Sequence, residues 1–292
     1  VTPAKFEFHA PTTLGEVLAL LDHYGEDARV LAGGQSLVPL MNFRILQPKA
    51  LISINQCPEL AALSLENGAL RCGALVRQVQ AERSPLVQRH VPLLARALPY
   101  VGGIANRNRG TICGSLAHAD PLAELTAVAA ALEARFLISS LRGKREVSAS
   151  EFFIADLTNC IEPGEMLEAV VFPLAAPGAR AAFVEVGNRG HGFAVVGLGA
   201  QVVLDEAGAV RDARIAAIGV ESVPLRLTAA EQLLLGTALD ADTLEAAAAA
   251  ARRAVDPTGS FHADAAYKRR LLGTLVVRAL EQIRAGAGVT TA

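Results

Sequence analysis

Arg107-Asn108-Arg109-Gly110-Thr111-Ile112-Cys113-Gly114-Ser115-Leu116-Ala117-His118-Ala119-Asp120-Pro121 runs from a basic, glycine-containing turn to an Asp-Pro pair. That pair reads as a helix start, with Asp120 at the N-cap and Pro121 at the first helical position. Gly110 and Gly114 bracket Thr111, so backbone N–H groups stand clear of side chains with a hydroxyl among them. Such a segment binds phosphate, and phosphate here points to a nucleotide cofactor. Asp120 joins the candidate contacts; without a ligand its role is the helix cap. Glu124, one turn further, is within reach of a ribose hydroxyl, or else is a solvated first-turn acid. Arg107 and Arg109 either pair with a pyrophosphate or are exposed loop charges. His118 reads as structural.

A second loop has similar chemistry. Leu31-Ala32-Gly33-Gly34-Gln35-Ser36-Leu37 follows a short apolar run and precedes further apolar residues. Gly33 and Gly34 permit close backbone approach, and Gln35 and Ser36 can donate to phosphate oxygens. An ordinary strand-to-helix turn is the alternative. Neither G-x-G-x-x-G nor G-x-x-x-x-G-K-[ST] is present, which excludes Rossmann and P-loop readings.

The rest of the chain supports an α+β fold. Thr13-Leu14-Gly15-Glu16 fits a capping box, Leu14, Val17, Leu18 and Leu21 have helical spacing, and Gly25 is a stop. Arg29 to Ala32, Leu51 to Ile54, Ala69 to Leu75 and Met166 to Phe172 read as strands, and Pro92 to Leu98 as a helical piece. A helix is expected from Asp120 to about Ala134, then a hairpin around Arg142-Gly143. Leu174 to Arg180 is a linker. Beyond it, Ala181 to Val186, Phe193 to Leu204 and Val210 to Ile218 form an antiparallel meander turning at Glu206-Ala207-Gly208. Thr228-Ala229-Ala230-Glu231 is a second capping-box pattern. A final helix buries Leu271, Leu272, Leu275, Val276, Leu280 and Ile283, and Ala285 to Ala292 frays. Lys268-Arg269-Arg270 reads as a solvated helix face or a partner contact.

Composition narrows the function classes. The 292 residues carry a net charge of −2, which gives no basis for nucleic-acid binding, and the lack of Trp weakens any base-stacking role. No apolar run approaches the ~18–20 residues that span a bilayer, and no signal peptide is read at the N-terminus. A cytoplasmic protein is expected. Cys57, Cys72, Cys113 and Cys160 include no C-x-x-C, so this chain has no signature for a zinc ribbon or an iron–sulfur cluster. They read as reduced thiols. No metal-ligand spacing is present, and no residue is assigned a catalytic role.

Taken together, these motifs resemble the FAD-binding medium subunits of the molybdenum hydroxylases. This is the family of carbon monoxide dehydrogenase, quinoline 2-oxidoreductase and the flavin domain of xanthine dehydrogenase. The resemblance covers essentially the whole chain. It rests on Phe6-Glu7-Phe8, Ala32 to Ser36, Arg107 to Ser115, Ala117 to Pro121, Gly164 to Leu167 and Asp264 to Arg269. It implies two α/β FAD-binding subdomains (residues 1–55 and 56–175). A C-terminal domain of a three-stranded antiparallel sheet plus helices would follow (176–292).

The resemblance also implies roles. Ala32, Gly33, Gly34, Gln35 and Ser36 would hold the FAD pyrophosphate together with Thr111, Ile112, Cys113, Gly114 and Ser115. Glu124 would meet the ribose, Leu167 would pack near the flavin ring, and Val101 would occupy another cofactor-contact position. The implied partners are a large molybdopterin subunit and a small subunit with two [2Fe–2S] clusters, in a dimer of heterotrimers. Electrons would pass through the clusters to FAD and on to an external acceptor. A nitrogen heteroaromatic substrate is favoured for the complex, with CO as the alternative. A flavin-free bridging subunit and a stand-alone NAD(P)H-dependent flavin reductase are the rival readings.

Three residues depart from the family pattern. Cys113 stands where many relatives have Gly, and a positive φ there would cost about 1 kcal/mol or more. Glu185 stands where some have Lys near the flavin. Gly192 replaces a common Asp.

Overall fold

The computed structural model describes residues 2–187, 193–261 and 263–286; Gly192 and the end of the C-terminal tail lie outside them. Strand β1 (Glu7–His9) leads to helix α1 (Leu14–Tyr24). The expected capping box forms: Thr13 Oγ1 accepts from the Glu16 N–H, and Glu16 accepts from the Thr13 N–H. Val17, Leu18 and Leu21 are buried, and Gly25, at φ 51°, ends the helix. Strand β2 (Ala28–Leu31), helix α2 (Leu37–Asn42) and strand β3 (Ala50–Ser53) follow. The strands make a parallel sheet ordered β1-β3-β2. Its central strand β3 is buried along its whole length, which is why it reads as an almost unbroken apolar run.

Strands β4 (Leu63–Glu66) and β5 (Ala69–Gly73) begin a second region. A series of short helices comes next: α3 (Gln78–Glu82), α4 (Pro85–His90), α5 (Pro92–Ala97), α6 (Ile104–Arg109), α7 (Ile112–His118) and α8 (Glu124–Ala131). Proline opens α4 and α5, where its missing N–H costs nothing. The expected hairpin is β6 (Arg135–Ser140) with β7 (Gly143–Ser148). After it come α9 (Ala149–Phe152), the ribbon β8 (Phe153–Ala155) and β9 (Thr158–Asn159), and β10 (Met166–Pro173). The five-stranded antiparallel sheet has the order β4-β5-β10-β6-β7. Phe136 stacks on Phe152 with ring centroids 3.8 Å apart in the core below it.

Helix α8 starts later than the sequence suggests. Asp120 does not cap it; its Oδ1 accepts from the Leu122 N–H at 2.9 Å, and Ala123 holds the N-cap position without a side-chain bond. Asp favours this local turn. The Pro121 carbonyl is engaged by the Gly219 N–H at 3.0 Å, which draws the segment away from the helical path. At the other end Glu133, at φ 52°, stops the helix short of Ala134. Leu125 through Ala129 are all buried, because α8 packs against both this region and the next sheet.

That next sheet is a meander of β11 (Ala179–Gly187), β12 (Ala194–Leu204) and β13 (Val210–Ile218), the three expected strands. A two-residue strand β14 (Leu225–Arg226) is added at its edge. Helices α10 (Thr228–Leu234), α11 (Ala241–Arg253) and α12 (Ala265–Arg284) cover it. The Thr228 capping box does not form. Leu227 holds the N-cap position, while Glu231 accepts from the Ile215 N–H (2.7 Å) and Arg226 Nε (2.9 Å). In α12, Leu272, Leu275, Val276, Leu280 and Ile283 are buried, and Leu271 is half-buried. The neighbouring basic triplet is solvated only in part: Arg270 is exposed, whereas Lys268 is buried and Arg269 binds the Val255 carbonyl and Asp256. Among the described residues no helix is long and apolar enough to cross a membrane.

Candidate functional site

The two glycine loops meet. The first leaves β2 at Leu31 and turns through Gly34, whose φ of 74° disfavours any residue with a β-carbon. Its neighbour Gly33 lies against the second loop. A β-carbon at Gly33 would overlap the Arg109 carbonyl oxygen and sit 2.8 Å from Gly110 Cα. Gln35 folds back, donating from Nε2 to the Gly33 carbonyl at 3.2 Å. Ser36 precedes α2 without making a side-chain cap bond.

The second loop is held from behind by residues 76–78. The Ile112 N–H donates to the Val76 carbonyl (3.0 Å) and the Gln78 N–H donates to the Gly110 carbonyl (2.9 Å). Thr111 then caps α7, its Oγ1 accepting from the Gly114 N–H at 3.0 Å. A β-carbon on Gly114 would stand 2.7 Å from that oxygen, so a larger residue there would have to shift the cap. Helix α7 ends at Ala119 in the left-handed region (φ 52°).

A cleft of about 940 Å³ opens where the loops meet, at the upper end of the ~300–1,000 Å³ range of cofactor sites. Ala32, Gly33, Gly34, Gln35, Ser36, Val101, Thr111, Cys113, Gly114, Ser115, Asp120, Glu124 and Leu167 all line it. So does His118, which the sequence suggested was structural. Two candidates lie elsewhere. Ile112 is fully buried with its N–H taken by Val76. Arg109 has an exposed side chain outside the cleft wall, and its carbonyl accepts from Arg77. The wall also includes residues the sequence did not single out, among them Leu40 and Asn159, and Phe193 is exposed at its edge. Asn159 carries a local signal only in its turn, where its Oδ1 accepts from the Ile161 N–H; its bond to the Ala117 carbonyl joins distant segments. Leu40 has none beyond its apolar character.

Neither reading of Arg107 holds. Its guanidinium is buried, pairs with Glu82 at 2.8 Å and donates to the Gly102 carbonyl at 2.7 Å. It therefore braces the segment that presents Val101 to the cleft. Glu124 is also buried, and desolvation pushes its carboxyl up to about 8, with Glu185 and Asp120 adding repulsion. Glu185 is half-buried on β11; burial pushes it up to about 7, and its Oε2 has no hydrogen-bond partner. That departure adds a second carboxyl near Glu124 in place of a cation. Cys113 needs no positive φ, because it lies in the first turn of α7. Its thiol is turned into the core, 3.4 Å from the Cys72 carbonyl, and burial pushes it up to about 12.

Residues 4–175 match the family described as FAD binding domain in molybdopterin dehydrogenase, and residues 181–283 match CO dehydrogenase flavoprotein C-terminal domain. The chain belongs to the FAD-binding medium subunits of the molybdenum hydroxylases. It is 37% identical to the 6-hydroxypseudooxynicotine dehydrogenase complex subunit alpha of Paenarthrobacter nicotinovorans, over 95% of this chain and 94% of that one. Among solved structures it resembles carbon monoxide dehydrogenase from Hydrogenophaga pseudoflava, with a TM-score of 0.94 and 36% identity over 99% and 100% of the two chains. Quinoline 2-oxidoreductase from Pseudomonas putida 86 gives a TM-score of 0.93 and 34% identity over 98% and 99%. The residues present suit this family's flavin. Gly33 and Gly114 leave backbone bare where a β-carbon would clash, and the wall around them mixes apolar side chains such as Val101 and Leu167 with hydrogen-bonding ones such as Gln35, Ser36, Ser115 and Asn159. Related subunits work within heteromeric complexes.

Proposed function

We propose that this medium subunit carries FAD in the cleft and is the electron-output subunit of its complex. It would relay electrons from [2Fe–2S] clusters on a small partner subunit to an external acceptor, while a separate large molybdopterin subunit oxidises the substrate. Bound there, the flavin supplies the redox centre, and the protein supplies binding and electrostatics.

The observation that carries the reading is the meeting of two glycine loops across one cleft, at Gly33 and Gly110. Ala32 to Ser36 and Thr111 to Ser115 hold the pyrophosphate. In this role Ile112 contributes by fixing the loop backbone, and Arg109 supplies an exposed counter-charge beside it. Glu124 meets a ribose or ribityl hydroxyl; being largely protonated near neutral pH, it can donate as well as accept. Asp120 holds the turn that leads to it. Val101 and Leu167 are apolar packing for the ring system. No side chain of this chain acts on the organic substrate.

For the whole complex, a nitrogen heteroaromatic compound is the favoured substrate and CO the alternative. Relatives named for nicotine, caffeine and quinoline support the first, and those named for carbon monoxide the second. The assembly is read as a dimer of heterotrimers in the cytoplasm, in keeping with four free cysteines.

Flavin content of the purified full chain tests the core of the reading. The expected result is stoichiometric FAD in the wild-type chain and its loss in Gly34→Val. A wild-type chain without flavin would favour a bridging role instead. Normal flavin in Gly34→Val would overturn the loop assignment, and rapid bleaching of the isolated chain by NADH would favour a stand-alone reductase.

A further inference from the structure

The two loops belong to different sheets, and a polar link joins them behind the cleft. Asn55 follows β3. Its Nδ2 donates to the carbonyls of Leu31 (3.2 Å) and Ala32 (3.0 Å), at the root of the first loop, and to Ser53 Oγ (3.1 Å). Its Oδ1 accepts from one arm of the Arg77 guanidinium at 2.6 Å. The other arm donates to the Arg109 carbonyl, at the root of the second loop. That carbonyl is the atom against which Gly33 packs.

Arg77 is placed for this at the N-cap of α3. Its backbone is extended, at φ −70° and ψ 145°, and Gln78 begins the helix. The main chain bonds the second loop through Val76 and Gln78 on either side, and Arg77 itself bridges to Thr111. The Arg77 side chain is left to reach toward Asn55. A planar fork with donors on both arms suits this span, because one group must satisfy two acceptors on two segments at once.

We infer that Arg77, acting through Asn55, is a positioning residue that locks the two glycine loops in register for the cofactor. This rests on the reading that those loops hold FAD. Neither residue needs to touch the ligand. Their effect is to fix the spacing between two sets of backbone N–H groups, and a displacement of about 1 Å is enough to degrade such a site.

The test uses the full chain stripped of flavin and titrated with FAD. Flavin fluorescence reports affinity, visible circular dichroism reports the geometry of the bound ring, and the thermal midpoint of the flavin-free chain reports the fold. Arg77→Ala and Asn55→Ala are each expected to weaken FAD binding about tenfold and change the dichroism. The double variant should bind no worse than the weaker single, because the two groups act in series. Arg77→Lys should behave like Arg77→Ala, since an ammonium keeps the charge but not the fork. The thermal midpoints should stay close to wild type.

Wild-type affinity and dichroism in Arg77→Ala would overturn the inference. So would full rescue by Arg77→Lys, additive losses in the double variant, or a collapse of the flavin-free fold in both singles. The Gly34→Val variant separates the two levels of argument. If it loses FAD while Arg77→Ala keeps it, the lock fails and the loop assignment stands. If both keep FAD, the loop assignment itself fails.

Discussion

Gly33 packs directly on the carbonyl of Arg109, so the two glycine loops touch at a point where neither has a side chain to yield. Both glycines of the first loop are thereby required for different reasons. Gly34 needs its left-handed backbone, whereas Gly33 needs empty space. Gly33→Ala keeps an allowed backbone and adds one methyl group. The expected result is loops pushed apart, at an overpacking cost of roughly 1–3 kcal/mol, read as a ten- to hundredfold loss of FAD affinity with far-ultraviolet dichroism unchanged. Retention of wild-type affinity would show that the contact is not part of the binding geometry.

Glu124 makes the flavin-free chain sensitive to pH. Burial pushes its carboxyl from 4.5 up to about 8, reinforced by Glu185 and Asp120. The folded state therefore holds this proton more tightly than the unfolded state. The resulting stabilisation is fully present below about pH 4.5 and is lost as pH rises through about 8. Glu124→Gln removes the titration. Across that window the wild-type chain should lose stability relative to Glu124→Gln by an amount on the order of a few kcal/mol. Urea midpoints collected in a pH series check this, and parallel curves for the two proteins would exclude it.

What could be read from the sequence, and what could not, divides by the distance over which each feature is decided. The Thr13–Glu16 box, the Gly25 stop and the β6–β7 hairpin are set by neighbouring residues, and all form, the hairpin turning at Leu141-Arg142, one residue before the expected Arg142-Gly143. The glycine loops are legible for the same reason, since bare backbone is a local property. Asp120 shows the limit. A helix cap and a local turn use the same carboxylate, and the choice between them involves the N–H of Gly219, far along the chain. Arg107 is similar, because its partner Glu82 lies on another helix. Asn55 and Arg77 are not readable at all until β3 and the segment before α3 are brought together.

Glu231 is a second case where distant partners displaced a local role, and it gives a paired test. Its carboxylate serves the Ile215 N–H and Arg226, so Glu231→Ala strands a buried donor and one side of an ion pair. The expected cost is about 2–4 kcal/mol. Thr228→Ala should change stability by less than about 0.5 kcal/mol, because Thr228 caps nothing. Thermal midpoints of the two variants decide it: equal losses would mean that the capping box operates in solution after all.

The two arginines of the second loop should part company in the same kind of experiment. Arg107 is buried and serves Glu82 together with the carbonyls of Pro99, Val101 and Gly102. Arg107→Ala leaves a partly buried carboxylate and three acceptors without their donor, at a cost of roughly 3–5 kcal/mol. Because those carbonyls flank Val101 in the cleft wall, FAD affinity should fall along with the thermal midpoint. Arg109→Ala removes only an exposed side chain and keeps the carbonyl that Arg77 and Gly33 use. Its stability should stay within about 0.5 kcal/mol of wild type. Any loss of FAD affinity should be small and shrink as salt is added, as expected for an exposed counter-charge. If Arg109→Ala instead proved the more damaging change, the guanidinium of Arg109 would have to reach the cofactor directly, and the brace assigned to Arg107 would lose its place in the site.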